Sequence, residues 1–236
     1  WDFDTPITSN IVLKAIWTNP APVYYTVTFD SNGGSSVAPQ NVLSGDTAYK
    51  PVNPTKEGCV LENWLYNNSV WDFHTPITSS ITLKASWKKV QYTIIFDGNG
   101  GKFGNNTTIT RNVEHGNKIN ESGVTVPTRE GKTFKGWYKE PECNNAYNFN
   151  TEVKNAFTLY AKWETAKYYV TFNSNGGSSV PYQIVEYGNK ASKPSDPTRE
   201  GYTFKGWYLN DSTGYDFNKA VKSNIVLYAK WEKNTP

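Results

Sequence analysis

Apolar and polar residues alternate along this chain, and the same alternation returns at intervals. Tyr25, Val27 and Phe29 stand two apart, as do Tyr92, Ile94 and Phe96, and again Tyr168, Val170 and Phe172. A period of two places each trio on one face of a β-strand. Asn-Gly-Gly follows each trio, and those residues tolerate the positive φ of tight turns. The pattern therefore predicts hairpins, with second antiparallel strands through 37–43, 109–114 and 180–187. Turns at Gly45, Gly116 and Gly188 and a Pro-containing crossover lead to third strands at 59–64, 132–138 and 202–208. A last strand alternates as Ile81, Leu83, Ala85, Trp87; as Phe157, Leu159, Ala161, Trp163; and as Ile225, Leu227, Ala229, Trp231. Before it, residues 75–79 predict a short helical turn, with Thr75 as N-cap and Pro76 at the first helical position. Its counterparts at 151–155 and 219–223 lack the proline.

These elements are copies. Residues 1–17 return as 71–87 with 13 of the 17 positions identical. The closing tryptophans, Trp17, Trp87, Trp163 and Trp231, are 70, 76 and 68 residues apart. Phe29-Asp30-Ser31-Asn32-Gly33-Gly34 matches segments starting at Phe96 and Phe172. Pro54-Thr55-Lys56-Glu57-Gly58 matches segments starting at Pro127 and Pro197, and each is followed by a further tryptophan: Trp64, Trp137 or Trp207. The expected organisation is a C-terminal remnant (1–17) of a preceding repeat, then three complete units at 24–87, 91–163 and 168–231. The start at Trp1, inside an apolar pattern, reads as a cut from a longer protein. The joins are short, so neighbouring units are expected to touch or to hinge only slightly.

Composition sharpens this picture. Aromatics supply 15% of the chain, with 9 Trp, 16 Tyr and 11 Phe but no Met. A small unit has a limited core, and a large aromatic removes about 150–250 Å² from water, so paired Trp and Tyr per unit replace the disulfides small domains often need. Charged residues are only 19%, against disorder or a coiled coil, and no apolar run reaches the roughly 18 residues of a spanning helix. The net charge of +3 is divided as −2 over 25–87, +2 over 92–163 and +2 over 168–231. A nucleic-acid array would repeat its basic patch in every unit, so nucleic acid is not an expected partner.

Three motifs in register carry a resemblance: Phe-x-x-Asn-Gly-Gly, then Pro197-Thr198-Arg199-Glu200-Gly201-Tyr202-Thr203-Phe204-Lys205-Gly206-Trp207-Tyr208, then Leu227-Tyr228-Ala229-Lys230-Trp231. The chain resembles the Listeria–Bacteroides repeat, also called the internalin B-type B repeat, over essentially its whole length. The first unit departs at Cys59, Leu61 and Asn63, and the middle unit carries insertions near 103–107 and 140–146. The resemblance implies a ubiquitin-like β-grasp module with a modest helix, hence a β-rich α+β class and an elongated tandem array. It also implies a bacterial cell-surface protein, extracellular or cell-wall attached, in which such repeats join a recognition domain to the wall.

The residues nominate no catalytic, cofactor or metal site. His74 and His115 are not equivalent, and His74 stands where Asp4 stands in the remnant, as a solvated turn residue. No His-x-x-x-His or Cys-x-x-Cys occurs. Cys59 is expected to be buried or half-buried in a strand and Cys143 exposed in an insertion. Glu57, Glu130 and Glu200 recur beside Lys56, Arg129 and Arg199 as solvated turns, since three copies of one catalytic acid in tandem would be odd. Asp30, Asp97 and Asn173 are explained by Asx-type turns rather than calcium. Strands flank Asn-Gly-Gly, which argues for a turn over a phosphate loop.

Exposed aromatics are the remaining candidates, because they stack on sugars and anchor interfaces. Core packing is the expectation for Trp17, Trp87, Trp163 and Trp231, and a structural role for Trp64, Trp137 and Trp207. Tyr24, Tyr66, Tyr138, Tyr169 and Tyr208 remain as a candidate interaction surface. The leading expectation is a non-enzymatic stalk or spacer that adds weak multivalent contacts to a host-cell protein or glycan. The alternative is a specific host glycan- or protein-binding module using exposed aromatics.

Overall fold

A computed structural model describes residues 1–235. It contains three small β-sheets built on one plan. In the first, β1 (Tyr24–Asp30), β2 (Gln40–Leu43), β3 (Cys59–Tyr66), β4 (Ser69–Val70) and β5 (Ile81–Lys89) lie in the order β2-β1-β5-β3-β4. The second sheet uses β6 (Gln91–Asp97), β7 (Thr108–Glu114), β8 (Lys132–Tyr138) and β9 (Phe157–Thr165), in the order β7-β6-β9-β8. The third uses β10 (Lys167–Asn173), β11 (Gln183–Glu186), β12 (Tyr202–Tyr208) and β13 (Ile225–Lys233), in the order β11-β10-β13-β12. We call the three sheets with their loops modules one, two and three. The chain divides into two compact bodies: residues up to Val90, holding module one, and a second body from Gln91 that holds modules two and three.

In each module the first and last strands pair in parallel, Val27 with Ile81, Ile94 with Phe157, Val170 with Ile225. The chain thus returns to its own first strand, a pairing the alternation could not reveal. The inward trios pack on the third-strand tryptophan. Phe29–Trp64, Phe96–Trp137 and Phe172–Trp207 meet edge to face at 5.0, 5.0 and 4.9 Å. Such pairs add about 0.5–1.5 kcal/mol to the burial itself. Trp64, Trp137 and Trp207 are all buried.

The structure is nearly all β, with one short 3₁₀ turn (Glu121–Gly123) among the described residues. The helical turn expected at 75–79 is absent, as are its counterparts. The physical reason is the same in each module. Ile77, 1% exposed, donates its backbone N–H to Asp46 and accepts from Gly45, so both groups are engaged across the chain instead of along a helix. Val153 does this with Asn117 and Gly116, and Val221 with Asn189 and Gly188. What the local sequence does form is an Asx turn just upstream, with the His74, Asn150 and Asn218 amides donating to the side chains of Asp72, Asn148 and Asp216.

The first two strands pair antiparallel as expected, but Asn-Gly-Gly is not the tip of a tight hairpin. The pairing of β1 with β2 ends at Val27 and Gln40, well short of the turn. Gln40, buried, supports the start of the crossover by bonding both backbone groups of Tyr49 through its side-chain amide, and Gln183 does the same with Ser192.

Residues 1–17 form no strand and are exposed throughout. Trp17 is 91% exposed, which corrects the expectation of core packing for it. Its partners in the other units are partly buried and packed on the core.

Candidate functional site

The three sequence motifs of each unit converge on one point. The closing tryptophan donates its indole N–H into the first turn: Trp87 to the Ser31 carbonyl at 2.9 Å, Trp163 to Gly98 at 2.8 Å, Trp231 to Ser174 at 2.8 Å. The turn asparagine answers, with Asn32 Nδ2 donating to the Ala85 carbonyl, Asn99 to Ala161 and Asn175 to Ala229. The basic residue of the third motif closes the ring. Lys56 Nζ, Arg129 Nη1 and Arg199 Nη1 donate to the carbonyls of Asn32, Asn99 and Asn175 at 2.8, 3.0 and 3.0 Å. The Asx turns expected at Asp30, Asp97 and Asn173 are present, each accepting from the amide two residues on.

The second glycine of each turn is where the indole lies. A Cβ on Gly34, Gly101 or Gly177 would stand 2.6, 2.4 or 2.4 Å from Cζ2 of Trp87, Trp163 or Trp231. No side chain fits there without moving the ring. This arrangement is structural: it locks the turn, crossover and last strand together.

Within the second body, modules two and three also meet. The Tyr187 ring lies on Gly131, where a Cβ would overlap it, and its hydroxyl donates to Glu130. That bond, with burial second, raises the Tyr187 phenol above its ordinary value. Ala166, buried in the join, donates to the Gly131 carbonyl and accepts from the Tyr187 amide.

The five candidate tyrosines occupy different settings. Tyr24 is exposed at the start of β1, opposite Leu43. Tyr66 faces the core and meets Trp71 edge to face at 5.7 Å. Tyr138 pairs across the sheet with Tyr160 and has Lys162 Nζ 4.6 Å from its ring. Tyr169 is half exposed and 5.4 Å from Tyr182. Tyr208 pairs with Tyr228 and has Lys230 Nζ at 4.9 Å.

Of these five, Tyr208 alone lines the main concavity of module three, a groove of about 760 Å³. Tyr202, Tyr228, Arg199, Lys230, Asp211 and Asn175 line it with Tyr208. The Arg199 guanidinium lies 3.9 Å over Tyr202, so both cations rest against aromatic faces. The sequence reading missed Tyr202, Tyr228, Arg199 and Lys230 as site residues. The signal was there: if Leu227 and Ala229 face inward, Tyr228 and Lys230 must face outward beside Tyr208.

Module two has the same framework but its place is taken. The insertion after β8 folds back so that Asn99 Nδ2 also donates to the Pro141 carbonyl at 2.9 Å, with Cys143 Sγ at 3.6 Å. Lys162 Nζ reaches the Cys143 carbonyl at 3.3 Å. Cys143 is therefore buried, correcting the expectation of an exposed thiol, and burial pushes that thiol up from its ordinary value. Cys59 is half-buried in β3. Module one has Cys59, Leu65, Lys84 and Ser86 at the register positions of Tyr202, Tyr208, Tyr228 and Lys230.

Among the described residues no three His, Cys, Asp or Glu stand close enough to hold a metal ion. His74 is exposed and bonded to Asp72, whose carboxyl is held below the usual range first by the His74 backbone amide and then by its ring. Among the described residues no helix is long and apolar enough to cross a membrane.

The family model of the Listeria-Bacteroides repeat domain matches this chain three times, at residues 25–86, 92–162 and 168–230. A putative Gly-rich membrane protein of Evansella cellulosilytica is 37% identical over 218 residues, covering 89% of this chain and 24% of that protein. A putative membrane protein of the same organism is also 37% identical, over 89% of this chain and 32% of its own length. Internalin H of Listeria monocytogenes is 32% identical over 209 residues, 85% of this chain and 36% of that protein. The chain thus spans about a quarter to a third of the length of these relatives.

Proposed function

The chain belongs to the Listeria-Bacteroides repeat family, and from that premise we propose that it is a non-catalytic repeat region of a bacterial cell-surface protein, serving as spacer and adhesive array outside the cell. The relatives that carry matching repeats are named as internalin H and as putative membrane proteins, and their names describe no enzyme. The observation that carries the spacer reading is the junction in the second body. Tyr187 of module three sits on Gly131 of module two, and the joining Ala166 is bonded to both sides. A linker of that kind fixes one module against the next, which a spacer needs and a set of freely hinged beads lacks.

In the same reading each sheet is a β-grasp whose crossover carries no α-helix; the mixed strand order with a parallel central pair supports it. Adhesion comes from side chains outside the shared framework, where modules differ most and where weak contacts add by multivalency. No cofactor and no nucleic acid enter this reading; the partner is a host protein or glycan. Small-angle scattering of the intact chain tests it. The expected result is an elongated particle with a long maximum dimension, and a compact globular profile would end the spacer reading.

A further inference from the structure

We propose that the open groove of module three is a docking site for an acidic, proline-containing peptide loop of a partner protein. The inference deepens the adhesive half of the function proposed above and rests on it. The reasoning starts from module two, where the same framework already holds such a peptide. There, Glu140-Pro141-Glu142-Cys143 of the chain's own insertion occupies the place beside the turn asparagine. The Pro141 carbonyl takes the second hydrogen of Asn99 Nδ2, the first being given to Ala161. The Cys143 thiol approaches the Ala161 carbonyl at 3.7 Å, and Lys162 binds the Cys143 carbonyl.

Module three keeps every part of that cradle and lacks the occupant. Asn175 Nδ2 donates to Ala229 at 2.9 Å, as Asn99 does to Ala161, but among the described residues its second hydrogen meets no protein acceptor. An amide nitrogen carries two donors, so one is left facing the groove. The shorter loop brings only the Asp211 carbonyl to Lys230, at 3.4 Å. Tyr138 and Lys162 become Tyr208 and Lys230 in the same register and with nearly the same cation–ring distance, 4.6 against 4.9 Å.

The lining also differs in a direction that suits an acidic visitor. Tyr202 stands at the register position of Lys132, adding an aromatic wall under Arg199. Arg199 uses one of its five N–H donors on Asn175, and the rest can meet a carboxylate. Asp211 is the one acid among the lining residues, against the two cations Arg199 and Lys230. An incoming peptide would place a backbone carbonyl on Asn175, a proline against Tyr208 and Tyr228, and a glutamate on Arg199 or Lys230.

The test uses the intact isotopically labelled chain and a synthetic peptide of residues 139–146, titrated under reducing conditions and followed by NMR. The expected result is saturable shifts of Asn175, Tyr208, Tyr228 and Lys230, weakened about tenfold or more by Lys230→Glu and by Tyr228→Ala. A second variant, in which residues 209–214 are replaced by residues 139–146, fills the groove from within and should abolish the shifts while the rest of the spectrum is kept. The proposal is overturned if millimolar peptide gives no saturable shift in module three, if the loop-replaced chain binds equally well, or if an acidic or neutral oligosaccharide saturates these residues and the peptide does not. Scattering tests the spacer and titration tests the groove, so either reading can fail without the other.

Discussion

Residues 1–17 and 71–87 are nearly the same peptide, yet only one of them contributes a strand. Residues 81–87 lie within β5, paired in parallel with β1 and antiparallel with β3. Residues 11–17 form no strand and all fall in the exposed class. One feature is common to both: the Asx turn, with the Asp4 amide on Asp2 at 3.0 Å and the His74 amide on Asp72 at 3.0 Å. Local side-chain chemistry is therefore the same in both copies, and residues 81–87 are in addition held in a sheet. The closing strand is held by contacts distant in sequence: the turn at 31–34, the crossover at Lys56, and the inward face of β1. Isolated strands are not stable alone, so the teaching is that the motifs specify one another.

The largest effect is expected from truncating the closing tryptophans of the two segments. Trp87→Ala removes the ring over Gly34 and the bond to Ser31, and should destabilise the first body by about 3 kcal/mol in urea unfolding. Trp17→Ala, the same change in the same local sequence, should leave that stability within about 0.5 kcal/mol. Next in size is Gly34→Ala, which sets a Cβ 2.6 Å from Trp87 Cζ2 and 3.1 Å from the Thr55 carbonyl. It should cost roughly 2 kcal/mol by overpacking, and should lose much of that effect once Trp87 is already alanine.

A smaller effect comes from the position held by Trp1 in residues 1–17 and by Trp71, Tyr147 and Tyr215 in the three modules. Burial raises the Tyr147 phenol, and first burial then Asp216 raises that of Tyr215. Both phenols, with Tyr187, keep their protons longer folded than unfolded. Their contribution is complete below the ordinary value of 10.0 and is lost as pH rises through the raised folded values. The second body should therefore lose stability above that pH in pH-resolved denaturation. The Tyr147 hydroxyl is buried without a partner, so Tyr147→Phe should stabilise by about 1 kcal/mol and flatten the alkaline loss. The smallest effect is deletion of residues 1–17, which should change the first body's urea midpoint by no more than about 0.5 kcal/mol equivalent.

Much of each sheet was legible in the sequence because period-two alternation reports directly which face is buried. Tyr25, Val27 and Phe29, or Leu227 and Ala229, announce their strands residue by residue. The parallel pairing of β1 with β5 was not legible, because alternation names a face and not a neighbour. The turn at 75–79 misled for a related reason. Thr-Pro suits a helix start locally, but Ile77 spends its backbone groups on Gly45 and Asp46, some thirty residues away. Cys143 was misread because an insertion reads as solvent, and nothing in its own sequence shows that Asn99 and Lys162 await it. The groove was half legible: Tyr208 could be named and the alternation of β13 turns Tyr228 and Lys230 outward beside it, but Arg199 joins Tyr202 only after folding brings crossover and third strand together.

In each module the last strand is held by the turn, crossover and first strand of that same module. Native-state hydrogen exchange on the intact chain tests this most directly, because one sample contains both copies. Amides of residues 81–87 paired in the sheet should be protected roughly a thousandfold or more over their counterparts in 11–17. Comparable protection of the two segments would contradict it.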